Sequence, residues 1–157
     1  MNAYVVDRNA LVSNIHVLQE KAGDTPIYGV IKGNGYGLGL LPMAQVLKEC
    51  GIRRFAVTGL EEVAELRSGG FHEEEILMMR ATCIPEELEL LLEQNATATV
   101  GSLECAKAME QVAEQAGKPF LCHIKIDTGM GRYGFLPERL EEIQQVYGLE
   151  HLKVTGI

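Results

Sequence analysis

Short apolar runs alternate with helical patterns six times along this chain, and that alternation limits the fold more than any other feature. The apolar runs are Ile27 to Lys32, Phe55 to Gly59, Ile76 to Arg80, Ala96 to Val100, Phe120 to Asp127 and Leu152 to Ile157. Their starts lie about 20 to 30 residues apart. Strands at that spacing, with helices between them, are parallel and joined by right-handed crossovers. Local signals bound the helices. Asp7 can cap a helix to Lys21, with Leu11, Ile15 and Leu18 at spacings of four and three. A helix from Pro42 to Cys50 turns Met43, Val46 and Leu47 inward, and Gly51 ends it. Further helices run from Leu60 to Arg67, closed by Gly69-Gly70, and from Pro85 to Gln94, with Glu86 and Glu87 suited to the first turn. Ser102 reads as the cap of a helix to Gly117, and Pro137 starts one through Tyr147. His16 reads as a solvated or satisfied helix residue, and the acidic run Glu73-Glu74-Glu75 as a solvated turn.

Two α/β folds meet this pattern, a doubly wound sheet and a (β/α)8 TIM-type barrel. Both place function at the carboxyl ends of the strands. The fifth strand separates them. Side chains alternate across a strand, so Leu121, His123, Lys125 and Asp127 share one face, while Cys122, Ile124 and Ile126 share the other. The second face is apolar and suits packing on helices. The first carries three polar or ionisable groups, which are kept in an interior only if paired or used. Helices cover both faces of a doubly wound sheet, so a charged face fits the barrel better. Six β/α units make an incomplete barrel, about six of the eight that closure needs.

Composition narrows the partners. The chain has 157 residues, a length for one domain, with 46% hydrophobic and 23% charged residues. The net charge of −8 comes without a basic cluster, which argues against nucleic acid and anionic membrane. Cys50, Cys83, Cys105 and Cys122 lie far apart with no C-x-x-C spacing, so no zinc motif is present and no metal is expected. The chain opens Met1-Asn2-Ala3-Tyr4 and begins its helical pattern by Asp7, leaving no room for a targeting segment. A cytoplasmic protein with four reduced thiols is the expectation.

The richest chemistry lies in Lys32-Gly33-Asn34-Gly35-Tyr36-Gly37-Leu38-Gly39. The strand from Ile27 delivers Lys32 to its end, and four glycines follow at every second position. Glycine there permits φ > 0 and close approach of a ligand. A phosphate loop needs its lysine after the glycines, and here Lys32 precedes them. The dinucleotide pattern G-x-G-x-x-G fails as well, because the third glycine would fall at Leu38 or Leu40. A lysine at the junction of an apolar strand and such a loop is poorly hydrated, which favours the neutral amine of Schiff-base chemistry. The plain alternative is a strand-to-helix turn with a solvated lysine.

The string K-G-N-G-Y-G-L-G resembles the lysine motif of the alanine racemase family, K-A-N-A-Y-G-H-G. Gly33, Gly35 and Leu38 depart from it. A second segment, His123-Ile124-Lys125-Ile126-Asp127-Thr128-Gly129-Met130-Gly131-Arg132-Tyr133-Gly134, resembles that family's H-L-K-x-D-T-G-M-G-R-x-G. The two motifs stand in the family's order, each at a strand end. The resemblance implies that Lys32 binds pyridoxal 5′-phosphate covalently and is a catalytic base. It implies that Tyr36 contacts the phosphate, and that Arg132 contacts the cofactor's phenolic oxygen and the substrate carboxylate. It makes Lys125 the lysine that many members carbamylate, whose carbamate holds the arginine. Asp127 is expected to brace its loop rather than act as a base, and His123 has no assigned chemistry.

The same resemblance implies that residues 1–157 are the N-terminal part of a pyridoxal-phosphate-binding barrel. Two further strands, and a C-terminal β domain carrying a catalytic tyrosine, are expected to be missing. The intact protein would be a cytoplasmic isomerase and homodimer, converting L-alanine to the D-alanine used in cell walls, or acting on a relative such as serine. The 157 residues alone are expected to racemise little. Two other readings stand beside it: a pyridoxal-phosphate carrier or homeostasis protein of the same barrel superfamily, and a doubly wound binding domain without cofactor.

Overall fold

The computed structural model describes residues 5–157; the opening Met1-Asn2-Ala3-Tyr4, to which the expectation about a targeting segment applies, lies outside them. The chain divides into two compact units, the first ending at Ile76 and the second starting at Leu77. The first unit contains α1 (Arg8–Ala22), β1 (Tyr28–Val30), α2 (Lys32–Tyr36), α3 (Leu40–Glu49), β2 (Arg54–Val57) and α4 (Leu60–Ser68). The boundary falls inside β3 (Glu75–Met78). The second unit continues with α5 (Pro85–Glu93), β4 (Thr97–Val100), α6 (Leu103–Ala116), β5 (Phe120–Ile124), α7 (Leu140–Tyr147) and β6 (Leu152–Gly156). The class is α/β. In the first unit β1 pairs with β2; in the second, β3, β4, β5 and β6 are neighbours in chain order, and every pair is parallel.

Side-chain chemistry set several boundaries as expected. Asp7 caps α1 by accepting the backbone N–H groups of Asn9 and Ala10, and Ser102 caps α6 by accepting that of Cys105. Gly117 closes α6 in the left-handed region. In the first unit Phe55 and Phe71 meet edge to face at 5.6 Å, among buried Val57, Val63, Leu66 and Ile76. In the second, all four residues of β4 are buried, the signature of a parallel strand covered on both faces. Its threonines need partners there, and the Thr99 hydroxyl donates to the Met78 carbonyl at 2.8 Å. Along β5 burial alternates, with Phe120, Cys122 and Ile124 buried and Leu121 and His123 only partly so, as the alternation predicted.

Other expectations need correction. The Glu73-Glu74-Glu75 run is no solvated turn. Glu74 is 2% exposed and pairs with Lys48 and Arg53, both at 2.9 Å, while Glu75 opens β3. The second oxygen of Glu74, Oε2, is buried without a hydrogen-bond partner among the described residues. α3 starts two residues before Pro42, and its buried positions are Leu40, Ala44 and Leu47, with Met43 and Val46 half-buried. α7 starts at Leu140 rather than Pro137, and no side chain caps it. Leu18 is exposed although it falls on the stripe of Leu11 and Ile15. Two cysteines are not thiols, since Cys83 and Cys105 form a disulfide; Cys50 and Cys122 are free. Burial pushes the Cys122 thiol up to about 12, so it behaves as a small apolar group. Among the described residues no helix is long and apolar enough to cross a membrane, and no cluster of His, Cys, Asp and Glu could hold a metal ion.

Candidate functional site

In the first unit, β1 ends at Val30 and Ile31 still donates its N–H to the Ala56 carbonyl at 3.0 Å. Lys32 comes next. The chain cannot continue as a strand, because Gly33, Asn34 and Gly35 all take φ between 54° and 61° with ψ between 37° and 51°. Tyr36 follows at φ 56° and Gly37 at 87°. α2 is therefore a turn of left-handed helix. L-residues avoid that conformation at a cost of about 1–2 kcal/mol each. Glycine at positions 33 and 35 lowers the cost, asparagine tolerates it, and Tyr36 bears it. An aromatic residue held at positive φ marks a place where the fold over-determines the backbone.

The hydrogen bonds show how the turn is held. Gly35 N–H donates to the Ile31 carbonyl at 2.8 Å, Gly37 N–H to that of Gly33 at 3.0 Å, and Gly39 N–H to that of Asn34 at 2.9 Å. The Asn34 side-chain oxygen accepts the Leu40 N–H at 2.8 Å and so joins the turn to the start of α3. Lys32 is half-buried, and among the described residues its amine has no hydrogen bond or ion pair. Tyr36 is 65% exposed. Within this unit the structure thus brings two of the expected residues onto one turn, an unpartnered amine and a phenol four residues on.

Sequence reasoning missed Glu62. This half-buried residue of α4 accepts the N–H groups of Thr58 at 3.0 Å, Gly59 at 3.1 Å and Asn34 at 3.1 Å. Burial alone would raise its pKa, but those backbone hydrogen bonds outweigh burial and hold the carboxyl below its usual range. The signal was present: Gly59-Leu60-Glu61-Glu62 places a glutamate three residues after a helix cap, the spacing of a capping box.

In the second unit β5 stops at Ile124, short of the expected Asp127. Lys125 N–H still donates to the Val100 carbonyl at 2.8 Å, and then the chain bulges into a loop. Asp127 closes that loop twice. Its N–H donates to the Phe135 carbonyl at 2.8 Å, and its Oδ1 accepts the N–H groups of Gly129 at 3.1 Å and Gly131 at 3.2 Å. The Gly129 bond comes first among the causes that hold this carboxyl below its usual range. Asp127 braces the loop, as expected. Gly134, at φ 135°, sits so close that a Cβ there would lie 2.9 Å from the Asp127 nitrogen.

Arg132 stands exposed on this loop and, among the described residues, makes no side-chain hydrogen bond or ion pair. The Lys125 amine does not meet it. The amine lies 5.3 Å from the centre of the Tyr133 ring and 3.4 Å from the Ile126 carbonyl. Tyr133, which sequence reasoning left unassigned, also donates its hydroxyl to the Met79 carbonyl and so ties the loop to the end of β3. His123 packs on the backbone of β6, where a Cβ at Gly156 would come within 2.6 Å of its ring.

The chain has clear counterparts among known proteins. Residues 6–157 match the family model described as alanine racemase, N-terminal domain. The alanine racemase of Methylacidiphilum infernorum is 34% identical over 154 residues, covering 97% of this chain and 39% of that protein. The alanine racemase of Desulforamulus reducens is 38% identical over 155 residues, covering 97% and 41%. Among solved structures, the alanine racemase of Clostridium difficile 630 superposes with a TM-score of 0.88 at 33% identity, covering 94% of this chain and 39% of that one. A histidine racemase from Leuconostoc mesenteroides superposes at 0.83 and 30% identity, covering 92% and 39%. The chain thus spans about two fifths of the length of the relatives it matches. Its six parallel strands and their helices are an incomplete TIM-type barrel of the kind those racemases carry. By sequence and by fold, the chain belongs to the alanine racemase N-terminal domain family.

Proposed function

We propose that this chain is the cofactor-binding part of a pyridoxal-phosphate-dependent amino-acid racemase whose substrate is alanine. The carrying observation is the amine of the half-buried Lys32, unpartnered among the described residues and set at the end of β1 by a left-handed turn that also presents Tyr36. That pair fits pyridoxal 5′-phosphate: the amine can bond its aldehyde and the phenol can donate to its phosphate. When bound, this cofactor withdraws electrons from the α-carbon of an amino acid and so acidifies the α-proton.

The chain's own residues would divide the remaining work. Lys32 holds the cofactor and moves the α-proton on one face. Tyr36 fixes the phosphate. Arg132, exposed and unpaired, is suited to a substrate carboxylate, which it can grip with two parallel hydrogen bonds. Lys125 is the candidate for carbamylation. Its amine lies 5.3 Å from the centre of the Tyr133 ring, a cation–π contact. A carbamate would reverse that charge and offer Arg132 an acceptor. We place the second base in a C-terminal β domain of a full-length cytoplasmic homodimer, so the 157 residues alone racemise little.

The test is a chiral assay of the full-length protein with alanine, serine and histidine, before and after Lys32→Ala. Racemisation of alanine, abolished by the substitution, is the expected result. Bound cofactor without turnover would favour the carrier reading, and preferred turnover of another amino acid would correct the substrate.

A further inference from the structure

We propose that Glu62 is a positioning residue for Lys32, acting through the left-handed turn; the proposal deepens the reading above and rests on it. Lys32 is gripped by its backbone from both sides. Before it, Ile31 N–H is bonded to the Ala56 carbonyl of β2 at 3.0 Å. After it, Asn34 N–H is bonded to Oε1 of Glu62 at 3.1 Å. The first N–H groups of any helical turn have no partner inside it. In this left-handed turn a side chain from another element takes one of them. Glu62 does so, and the Gly33 N–H contributes to the same carboxylate.

The other oxygen fixes the carboxylate itself. Oε2 accepts Thr58 N–H at 3.0 Å and Gly59 N–H at 3.1 Å, at the junction of β2 and α4. One side chain therefore fastens the turn after β1 to the loop after β2. Without it the Asn34 N–H would lose its partner, and Gly33, as a glycine, could leave the left-handed region at little steric cost. The amine would then sample orientations rather than one.

The test uses Glu62→Gln, which keeps the shape but offers a single acceptor oxygen, beside Ile76→Val as a control that loosens the same unit away from the turn. Two readouts are taken on the 157-residue chain. One is amide hydrogen exchange at Asn34. The other is the rate at which pyridoxal 5′-phosphate forms a covalent adduct at Lys32, trapped with borohydride and located by peptide mass spectrometry. We expect Glu62→Gln to speed Asn34 exchange by about tenfold and to slow adduct formation at Lys32 by about tenfold, the size of effect that losing one hydrogen bond to a charged group carries. Ile76→Val should leave both near wild type. Unchanged exchange and adduct formation in Glu62→Gln, or equal losses in Ile76→Val, would overturn the proposal.

If wild type forms no adduct at Lys32, the cofactor reading fails, and the exchange at Asn34 still decides whether Glu62 holds the turn. Should Glu62→Gln not fold, wild-type exchange is decisive. A protected Asn34 N–H supports the proposal, and an unprotected one refutes it.

Discussion

Adding one methyl group at Gly33 and, separately, at Gly35 tests the left-handed turn with two near-identical probes. Both glycines sit at φ 61°, so Gly33→Ala and Gly35→Ala carry the same backbone strain, about 1–2 kcal/mol. Both also stiffen the unfolded chain, which returns about 0.4–1 kcal/mol. Their surroundings differ. A Cβ at Gly33 would meet nothing within 4 Å, whereas one at Gly35 would lie 3.0 Å from Met43 Cγ and 3.5 Å from the Leu40 nitrogen. Crowding of this kind costs about 1–3 kcal/mol, and a flexible methionine keeps it near the lower end. Gly33→Ala should therefore destabilise by about 1 kcal/mol and Gly35→Ala by about 2 kcal/mol. Urea unfolding followed by circular dichroism reads the difference as a midpoint lower by about 0.5 M for the first and about 1 M for the second. In a Met43→Ala background the two costs should converge, because the crowding has gone. Since the family motif carries alanine at both positions, adduct formation at Lys32 should survive either change. A stabilising Gly33→Ala, or a Gly35→Ala milder than Gly33→Ala, would refute the left-handed geometry.

Other predictions concern groups outside that turn. Tyr133→Phe removes the hydroxyl bond to Met79 but keeps the ring under Lys125, and should cost about 1 kcal/mol in urea unfolding. Burial would raise the Glu74 carboxyl, but the Lys48 and Arg53 contacts outweigh it and hold the group below its usual range. Its stabilisation is then fully present above the unfolded glutamate pKa of about 4.3 and is lost as pH falls through the lower folded value. A Glu74→Gln chain should show a weaker loss of urea resistance on acidification, and an unchanged pH profile would remove Glu74 from the account. Thiol titration of the denatured chain, isolated without reductant, should find Cys50 and Cys122 reactive and Cys83 and Cys105 silent. Peptide mass mapping under bicarbonate, after chemical trapping of carbamates, should reveal Lys125 as the modified lysine; an unmodified Lys125 at saturating bicarbonate would refute the carbamate.

The features readable from sequence were those decided within a few residues. Asp7 and Ser102 were legible as caps because each side chain bonds N–H groups two or three positions on. The burial alternation of β5 was legible because the strand period is two. Glu74 was misread because its partners, Lys48 and Arg53, lie over twenty residues away in chain order, and nothing local distinguishes a paired acidic run from a solvated one. The end of β5 was misplaced because the Asp127 brace folds the chain back onto Phe135, a non-local contact that alternation cannot show. At Lys32 the glycines revealed that positive φ was allowed, but not that five residues in succession, Gly33 to Gly37, would use it.

The most direct measurement of the central claim is the site of attachment of pyridoxal 5′-phosphate. The chain is incubated with the cofactor, reduced with borohydride, digested, and mapped by mass spectrometry. The account predicts a pyridoxyl group on Lys32, lost in Lys32→Ala and not relocated to another lysine. Labelling spread across exposed lysines such as Lys21 and Lys153, with Lys32 no more reactive than they are, would contradict it.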